Sequence, residues 1–199
     1  MFALPLAENA ELRPLEPWQA EEFFAHIERA RAHTDPWIPW ASRSTTLEAA
    51  RATLQGYADR QAQDAGRIFG IWDAGTLVGG VVFVRFEIDA GTAEIGVWSE
   101  PAGSGRGLIT RAVQVLVDYA LGTRGLHRIE WHNSPTNLAS RAVAQRVGMT
   151  LDGVLREAYP YGGIRHDQEI WSLLAPEWAA RHSADVPRPS LGEPRARAL

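Results

Sequence analysis

The 199-residue chain has no cysteine and no lysine. Without cysteine there is no disulfide framework, no thiolate ligand for a metal and no thiol nucleophile, so an acyl-cysteine intermediate is excluded. Without lysine the protein cannot form a Schiff base. It also cannot build a P-loop, whose phosphate grip needs Gly-Lys followed by Ser or Thr. All 20 basic side chains are arginine, against 24 carboxylates, giving a formal charge of −4 and a pI near 5.9. The basic excess that marks a nucleic-acid binder is lacking, so no nucleic acid is expected as a partner. No apolar run approaches a membrane span. The first residues show no basic stretch leading into an apolar one. The expectation is a cytoplasmic protein with no membrane partner. A hydrophobic content of 45% with 22% charged residues describes a globular protein, and the length suits one domain with a sizeable core.

What the chain does have is concentrated between Glu100 and Ala112, Glu-Pro-Ala-Gly-Ser-Gly-Arg-Gly-Leu-Ile-Thr-Arg-Ala. Before it, Ala93 to Trp98 alternates as a strand does, with Glu94, Gly96 and Trp98 on one side and Ile95 and Val97 on the other. After it, Ile109, Ala112, Val113, Leu116 and Ala120 recur at helical spacing. Gly103, Gly105 and Gly107 therefore fall at a strand-to-helix junction. Glycine permits a positive φ and close approach of a ligand to the amides, and a helix start favours an anion. A concave run of N–H groups there suits a pyrophosphate. The same glycines also fit a helix entry that needs them only for its turn. The dinucleotide fingerprint Gly-x-Gly-x-x-Gly, early in a βαβ unit, does not match.

Elements follow from periodicity and punctuation. Glu11–Leu15 reads as a short strand, ended by Pro14. Helices are expected from about Pro17 to His33 and from Thr45 or Thr46 to Ala62, separated by a loop with two prolines that carries Trp37 and Trp40. Strands are expected over Arg67–Trp72, Leu77–Phe86 and Thr92–Trp98, with a turn at Asp73–Thr76. A helix over Gly107–Leu121, a strand over His127–His132 and a helix over Asn137–Val147 come next. A hairpin of Thr150–Tyr159 and Arg165–Leu174 turns at Gly162-Gly163. The order indicates an α+β domain over residues 1–180, a mostly antiparallel mixed sheet with helices on both faces. Residues 181–199, rich in Pro and Arg, read as a disordered tail.

Glu94-Ile95-Gly96-Val97-Trp98, Gly105-Arg106-Gly107-Leu108-Ile109-Thr110 and Asn137-Leu138-Ala139-Ser140 together resemble the GNAT superfamily of acyl-CoA-dependent N-acetyltransferases. The resemblance, over roughly residues 10 to 178, is to the RimJ/RimL type, which includes acetyltransferases of ribosomal-protein N-termini. One position departs: the superfamily signature usually opens with Gln or Arg where this chain has Ala102. The resemblance implies the GNAT fold, in which the strands at the third and fifth positions splay apart and acyl-CoA lies in the gap. It implies acetyl-CoA as cosubstrate, no metal, a primary amine on a protein N-terminus or a small molecule as acceptor, and a homodimer among the partners it allows.

For individual residues, the resemblance implies that Val97, Trp98, Gly103, Ser104, Gly105, Arg106, Gly107, Leu108 and Ile109 hold the cosubstrate, with Asn137 on its pantetheine arm and Ser140 on its sulfur. Ser140 would donate to the leaving thiolate, with Tyr159 a second candidate acid. Glu94 would accept the amine proton through water, and backbone N–H groups near Val97 and Trp98 would face the oxyanion. Trp37, Trp40, Phe83, Arg85 and Trp131 would wall the acceptor site. The residues taken alone leave other readings open. Asn137 with Ser140 reads as an ordinary helix start, Tyr159 as a half-buried strand aromatic, and His132 as a half-exposed strand histidine. Glu94 fits a pairing with an arginine equally well, and Glu130, Asp152 and Glu157 are further carboxylates on expected strands. Asp167 matches an aspartate common in the family's last hairpin, with no role assigned. With Ala102, a non-catalytic acyl-CoA-binding module stays in play.

Overall fold

The seven strands expected from the sequence can bury their apolar side chains together only if they share a sheet, and they do. The computed structural model describes residues 3–38 and 43–184. Eight strands, β1 (Leu4–Ala7), β2 (Ala10–Pro14), β3 (Arg67–Asp73), β4 (Thr76–Glu87), β5 (Thr92–Ser99), β6 (Arg128–Asn133), β7 (Thr150–Tyr161) and β8 (Ile164–Leu174), form one sheet in the order β1-β2-β3-β4-β5-β6-β8-β7. All neighbours are antiparallel except β5 and β6. A parallel pair needs a long crossover, and the glycine loop and its helix supply it.

That one parallel pair is short. It runs from Thr92 opposite Arg128 to Glu94 opposite Glu130, after which the strands part. β4 stays with β5 out to Gly79 opposite Ser99. The gap thus lies between the fourth and fifth of the strands expected from sequence, not between the third and fifth.

Helix α1 (Ala20–Thr34), entered through a 3-10 turn at Pro17–Gln19, and helix α2 (Leu47–Ala62) cover one face of the sheet. Phe23, Ile27, Ala50 and Leu54 pack there against Ile68, Trp72, Val82 and Trp98. Thr46 caps α2, its hydroxyl accepting from the Ala49 N–H at 3.2 Å. Helix α3 (Leu108–Val117), continued by a π-helical turn over Asp118–Thr123, and helix α4 (Leu138–Val147) cover the other face. Val113, Leu116, Val117, Ala144 and Val147 pack there against Phe83, Ile95, Ile129, Trp131 and Trp171. The sequence-based helix to Leu121 is therefore α-helical only to Val117.

Two elements were not expected. β1 is too short for its own periodicity and exists through pairing with β2, Leu4 opposite Leu12. Helix α5 (Ala175–Ala184) crosses the expected tail boundary at Arg181. Its indole, Trp178, donates to Asp118 Oδ1 at 2.7 Å, and Arg181 donates to the Val147 and Gly148 carbonyls at 2.9 and 2.6 Å. α5 thus ties the end of α3 to the end of α4, where Gly148 closes the helix with φ 86°. The remainder of the expected tail, residues 185–199, lies outside the described residues.

Candidate active site

The loop after β5 uses its glycines in two ways. Gly103 ends a 3-10 turn, and a Cβ on it would lie 2.6 Å from the Val78 carbonyl oxygen, so it is glycine because β4 is close. Gly105 and Gly107 have φ 76° and 74°, and nothing lies within 4 Å of where a Cβ would stand. Their requirement is the left-handed backbone, and the space above them is open. Gly107 opens α3 without a side-chain cap, and the first bond of the helix is Arg111 N–H to Gly107 carbonyl at 3.1 Å. Among the described residues, the N–H groups from Gly105 to Thr110 have no protein acceptor. They form a row of donors at the positive end of a helix, beside the gap between β5 and β6. Arg106 within this row forms a two-pronged ion pair with Asp73, with Nη2 3.1 Å from Oδ1. Its hydrogen bond holds the Asp73 carboxyl below the usual range. Ser104 turns back, donating to the Glu100 carbonyl at 3.2 Å.

Behind the loop stands a buried buttress that the sequence did not single out. The Trp98 indole donates to His26 Nε2 at 3.0 Å. His26 Nδ1 lies 3.7 Å from Glu100 Oε2, and Arg29 Nε donates to that oxygen at 2.8 Å. Arg29 also donates to the Leu77 carbonyl at 2.9 Å. Burial, followed by the charge of Arg29, pushes His26 down to about 4, so the ring is neutral and accepts the indole proton. His26 and Arg29 are one helical turn apart on α1, the only trace of this pairing in the sequence.

Ser140 stands in the first turn of α4. Asn137 caps that helix, its Oδ1 accepting from the Ser140 N–H at 3.1 Å. The Ser140 Oγ accepts from the Trp131 indole N–H at 3.0 Å. α3 and α4 both start just beyond the C-terminal ends of the two strands that part, so the amide row and Ser140 share one face of the sheet.

Glu94 is on the opposite face, as alternation requires. Arg85 Nε donates to its Oε2 at 3.0 Å, and His132 Nδ1 lies 3.5 Å from its Oε1. Arg85 also donates to Glu130 Oε2 at 2.8 Å, with His132 Nε2 3.4 Å from the same oxygen. Burial alone would raise the Glu130 carboxyl, but the hydrogen bond and charge of Arg128, with His132 and Arg85, hold it below the usual range. Arg128 reaches on to Asp152. The arginine pairing open for Glu94 on sequence grounds is thus present, and His132 lies between two carboxylates.

The expected acceptor wall is not one surface. β4 carries a bulge at Val84, between the pairs Phe83–Ile95 and Arg85–Glu94. One extra residue reverses the alternation, so Phe83 and Arg85 face opposite ways. Phe83 is fully buried against Phe86, ring centroids 4.8 Å apart. Trp131 is also in the core, under α4, and its ring cannot meet an acceptor on the Glu94 face. Trp37 is 38% exposed after α1. Trp40 lies outside the described residues.

Tyr159 sits on the part of the β7–β8 hairpin that extends past the end of β6. It lies opposite His166, whereas Trp131, the partner of Ser140, lies opposite Trp171. Five residues separate those levels along β8, about 17 Å at strand spacing. Tyr159 and Trp131 thus stand at different levels of the sheet. Burial raises the Tyr159 phenol, which keeps its proton. Its neighbour Tyr161 donates to the Asp35 carbonyl, joining the hairpin to the Trp37 loop. Asp167 has a structural role. Its Oδ1 accepts the Glu157 N–H at 2.8 Å, where Glu157 has φ 50° in a bulge of β7.

The parting of β5 and β6 beside a row of amides without acceptors leaves an open cleft at the start of a helix. Residues 9–150 match the acetyltransferase (GNAT) domain family; the chain belongs to that family and is an N-acetyltransferase. YdaF of Bacillus subtilis (strain 168), a protein named for ribosomal N-acetyltransferase activity, is 30% identical over 183 residues, which is 89% of this chain and 98% of YdaF. The fold is shared with RimL, the ribosomal L7/L12 alpha-N-protein acetyltransferase, in complex with coenzyme A: TM-score 0.82 at 22% identity, covering 86% of this chain and 97% of RimL. It is shared equally with MccE, the microcin C7 self-immunity acetyltransferase, in complex with acetyl-CoA and AMP: TM-score 0.80 at 24% identity, covering 85% and 94%. Among the described residues, no helix is long and apolar enough to cross a membrane and no group of three His, Asp or Glu could hold a metal.

Proposed function

We propose that this chain transfers the acetyl group of acetyl-CoA directly to the α-amine of a protein N-terminus. The observation that carries the donor assignment is the row of unaccepted N–H groups from Gly105 to Thr110 at the start of α3. Backbone amides at a helix start are suited to a pyrophosphate, and they do so without the side chain that Ala102 lacks. A ribosomal-protein acceptor is supported by the similarity to YdaF along nearly its whole length, and its α-amine by the fold shared with RimL, an alpha-N-protein acetyltransferase.

In this reading Ser140 donates a hydrogen bond to the departing sulfur. A thiol pKa of about 8.5 makes the thiolate a tolerable leaving group, so a weak donor suffices. Backbone N–H groups near Val97 and Trp98 stabilise the carbonyl oxygen while it carries charge. Glu94, on the other face, takes the amine proton through water. Trp37 and the hairpin around Tyr159 flank the acceptor's approach.

The test has two parts. Acetyl-CoA at a hundredfold excess over its Kd should stabilise the protein by about 2.7 kcal/mol, read as a thermal shift that ATP does not reproduce. Acetylation is then followed by mass spectrometry on N-terminal peptides of ribosomal proteins, in parallel with aminoglycosides and aminoacyl nucleotides. Turnover only on the small molecules would replace the N-terminus by a small-molecule acceptor. No shift with any CoA ester would overturn the donor assignment.

A further inference from the structure

We propose that Trp131 is a positioning residue for the transfer, acting through Ser140; the proposal rests on the reading of Ser140 as donor to the leaving sulfur. Trp131 is 2% exposed and held on all sides by the core under α4. Its indole N–H has one partner, the Ser140 Oγ at 3.0 Å. An indole only donates, so Ser140 must accept with a lone pair, and its own proton is left to point elsewhere. A serine in a helix commonly turns that proton back onto the carbonyl four residues earlier. Ser140 does not: among the described residues its hydroxyl has no acceptor, and Asn137 is engaged with the backbone N–H instead. Ser140 is half-buried, with Leu138 and Ala139 exposed beside it. The indole therefore fixes the χ1 of Ser140 from the core side and leaves the O–H as a donor toward the open side, above the gap between β5 and β6.

The chemistry gives this a purpose. A hydroxyl free to rotate samples three staggered wells, of which one presents the donor productively. A fixed oxygen with one lone pair occupied confines the proton to the remaining directions. Removing the indole N–H should therefore cost turnover about threefold, up to tenfold if the hydroxyl finds a competing acceptor, on the count of wells. The affinity for acetyl-CoA should stay within about twofold, because the pyrophosphate row is untouched.

A double-mutant cycle decides it, with turnover and the acetyl-CoA KM measured on Trp131→Phe, Ser140→Ala and the double variant. The expected result is a lower kcat with an unchanged KM in Trp131→Phe, and a double variant no slower than Ser140→Ala alone, since the indole acts only through the hydroxyl. Equal losses from Trp131→Phe in both backgrounds would make Trp131 a packing residue and overturn the proposal, as would wild-type turnover in Trp131→Phe. Wild-type turnover in Ser140→Ala would instead remove Ser140 from the chemistry, a failure of the underlying reading that the cycle separates from the other. If Trp131→Phe does not fold, site-specific replacement of Trp131 by benzothienylalanine keeps the ring shape and removes only the donor. The same loss of kcat is then expected, and its absence overturns the proposal.

Discussion

The two walls of the gap are built differently. The wall formed by β5 and its glycine loop works through backbone: a strand end, two left-handed glycines and a helix start, all within Thr92 to Thr110. The wall formed by β6, α4 and the β7–β8 hairpin works through side chains whose partners are remote. Trp131 meets Ser140 on α4, His132 lies against Glu94 of β5, and Tyr161 meets Asp35 across 126 residues. A backbone device can be compact because its donors need only a local conformation. A side-chain device must be held by whatever packs behind it.

If that contrast is right, the β6 wall should fail when a distant prop is removed. Ending the chain after Leu174 deletes α5, with the Trp178 contact to Asp118 and the Arg181 contacts to the end of α4. Burial of one indole and the loss of these hydrogen bonds predict a destabilisation of about 3 kcal/mol or more, seen in a urea titration. Ending after Ala184 should leave the midpoint unchanged. Equal stability of the two truncations would break the comparison.

The β5 wall has its own distant prop in His26, and pH isolates it. His26 is held near 4 in the folded protein against an ordinary 6.5. Between those values the unfolded chain binds the proton and the folded one does not. Stability should therefore fall as the pH drops from about 6.5 to 4 and gain no further loss from this group below 4. The full effect is on the order of 3 kcal/mol. His26→Gln, which keeps an acceptor for the Trp98 indole, should flatten the profile over that window. An unchanged slope would mean that His26 is charged or more exposed than its burial indicates.

Ser140→Ala should lower turnover roughly tenfold to a hundredfold, as expected for a weak assisting donor. It should also cost stability, because the Trp131 N–H is left buried without an acceptor, about 1–3 kcal/mol. A melting temperature alone thus cannot separate a catalytic Ser140 from a helix-start one; kcat per folded molecule can. Wild-type kcat in the folded variant would remove Ser140 from the mechanism.

The smallest effect is expected at Gly105. Alanine there meets no neighbour and suffers only the left-handed backbone, about 1–2 kcal/mol. Acetyl-CoA affinity should fall while turnover at saturation changes little. Alanine at Gly103, by contrast, should disturb the fold through the Val78 carbonyl.

The chain order, the meander, the helix start at Gly107 and the faces of β5 were legible in the sequence because each is set by residues within one turn or one strand. Thr46 and Gly148 punctuate their helices for the same reason. The acceptor wall was not legible. Phe83 and Arg85 would share a face in a regular strand, and the bulge at Val84 that separates them leaves no mark on a stretch of Val-Val-Phe-Val-Arg-Phe. Trp131, placed in that wall by the resemblance, lies in the core because α4 covers it.

By itself the sequence determined the backbone chemistry of the glycine loop. Glycine at Gly105 and Gly107 is a local conformational permission, and a helix beginning at Leu108 presents its free amides whatever surrounds it. Only the tertiary structure decided which carboxylates Arg85 pairs with, which hydroxyl Trp131 holds and which carbonyl Tyr161 reaches. Those outcomes depend on strand register, a single bulge and a helix docked from the far end of the chain. Each is settled by the burial of many apolar side chains at once rather than by the residues that end up in contact.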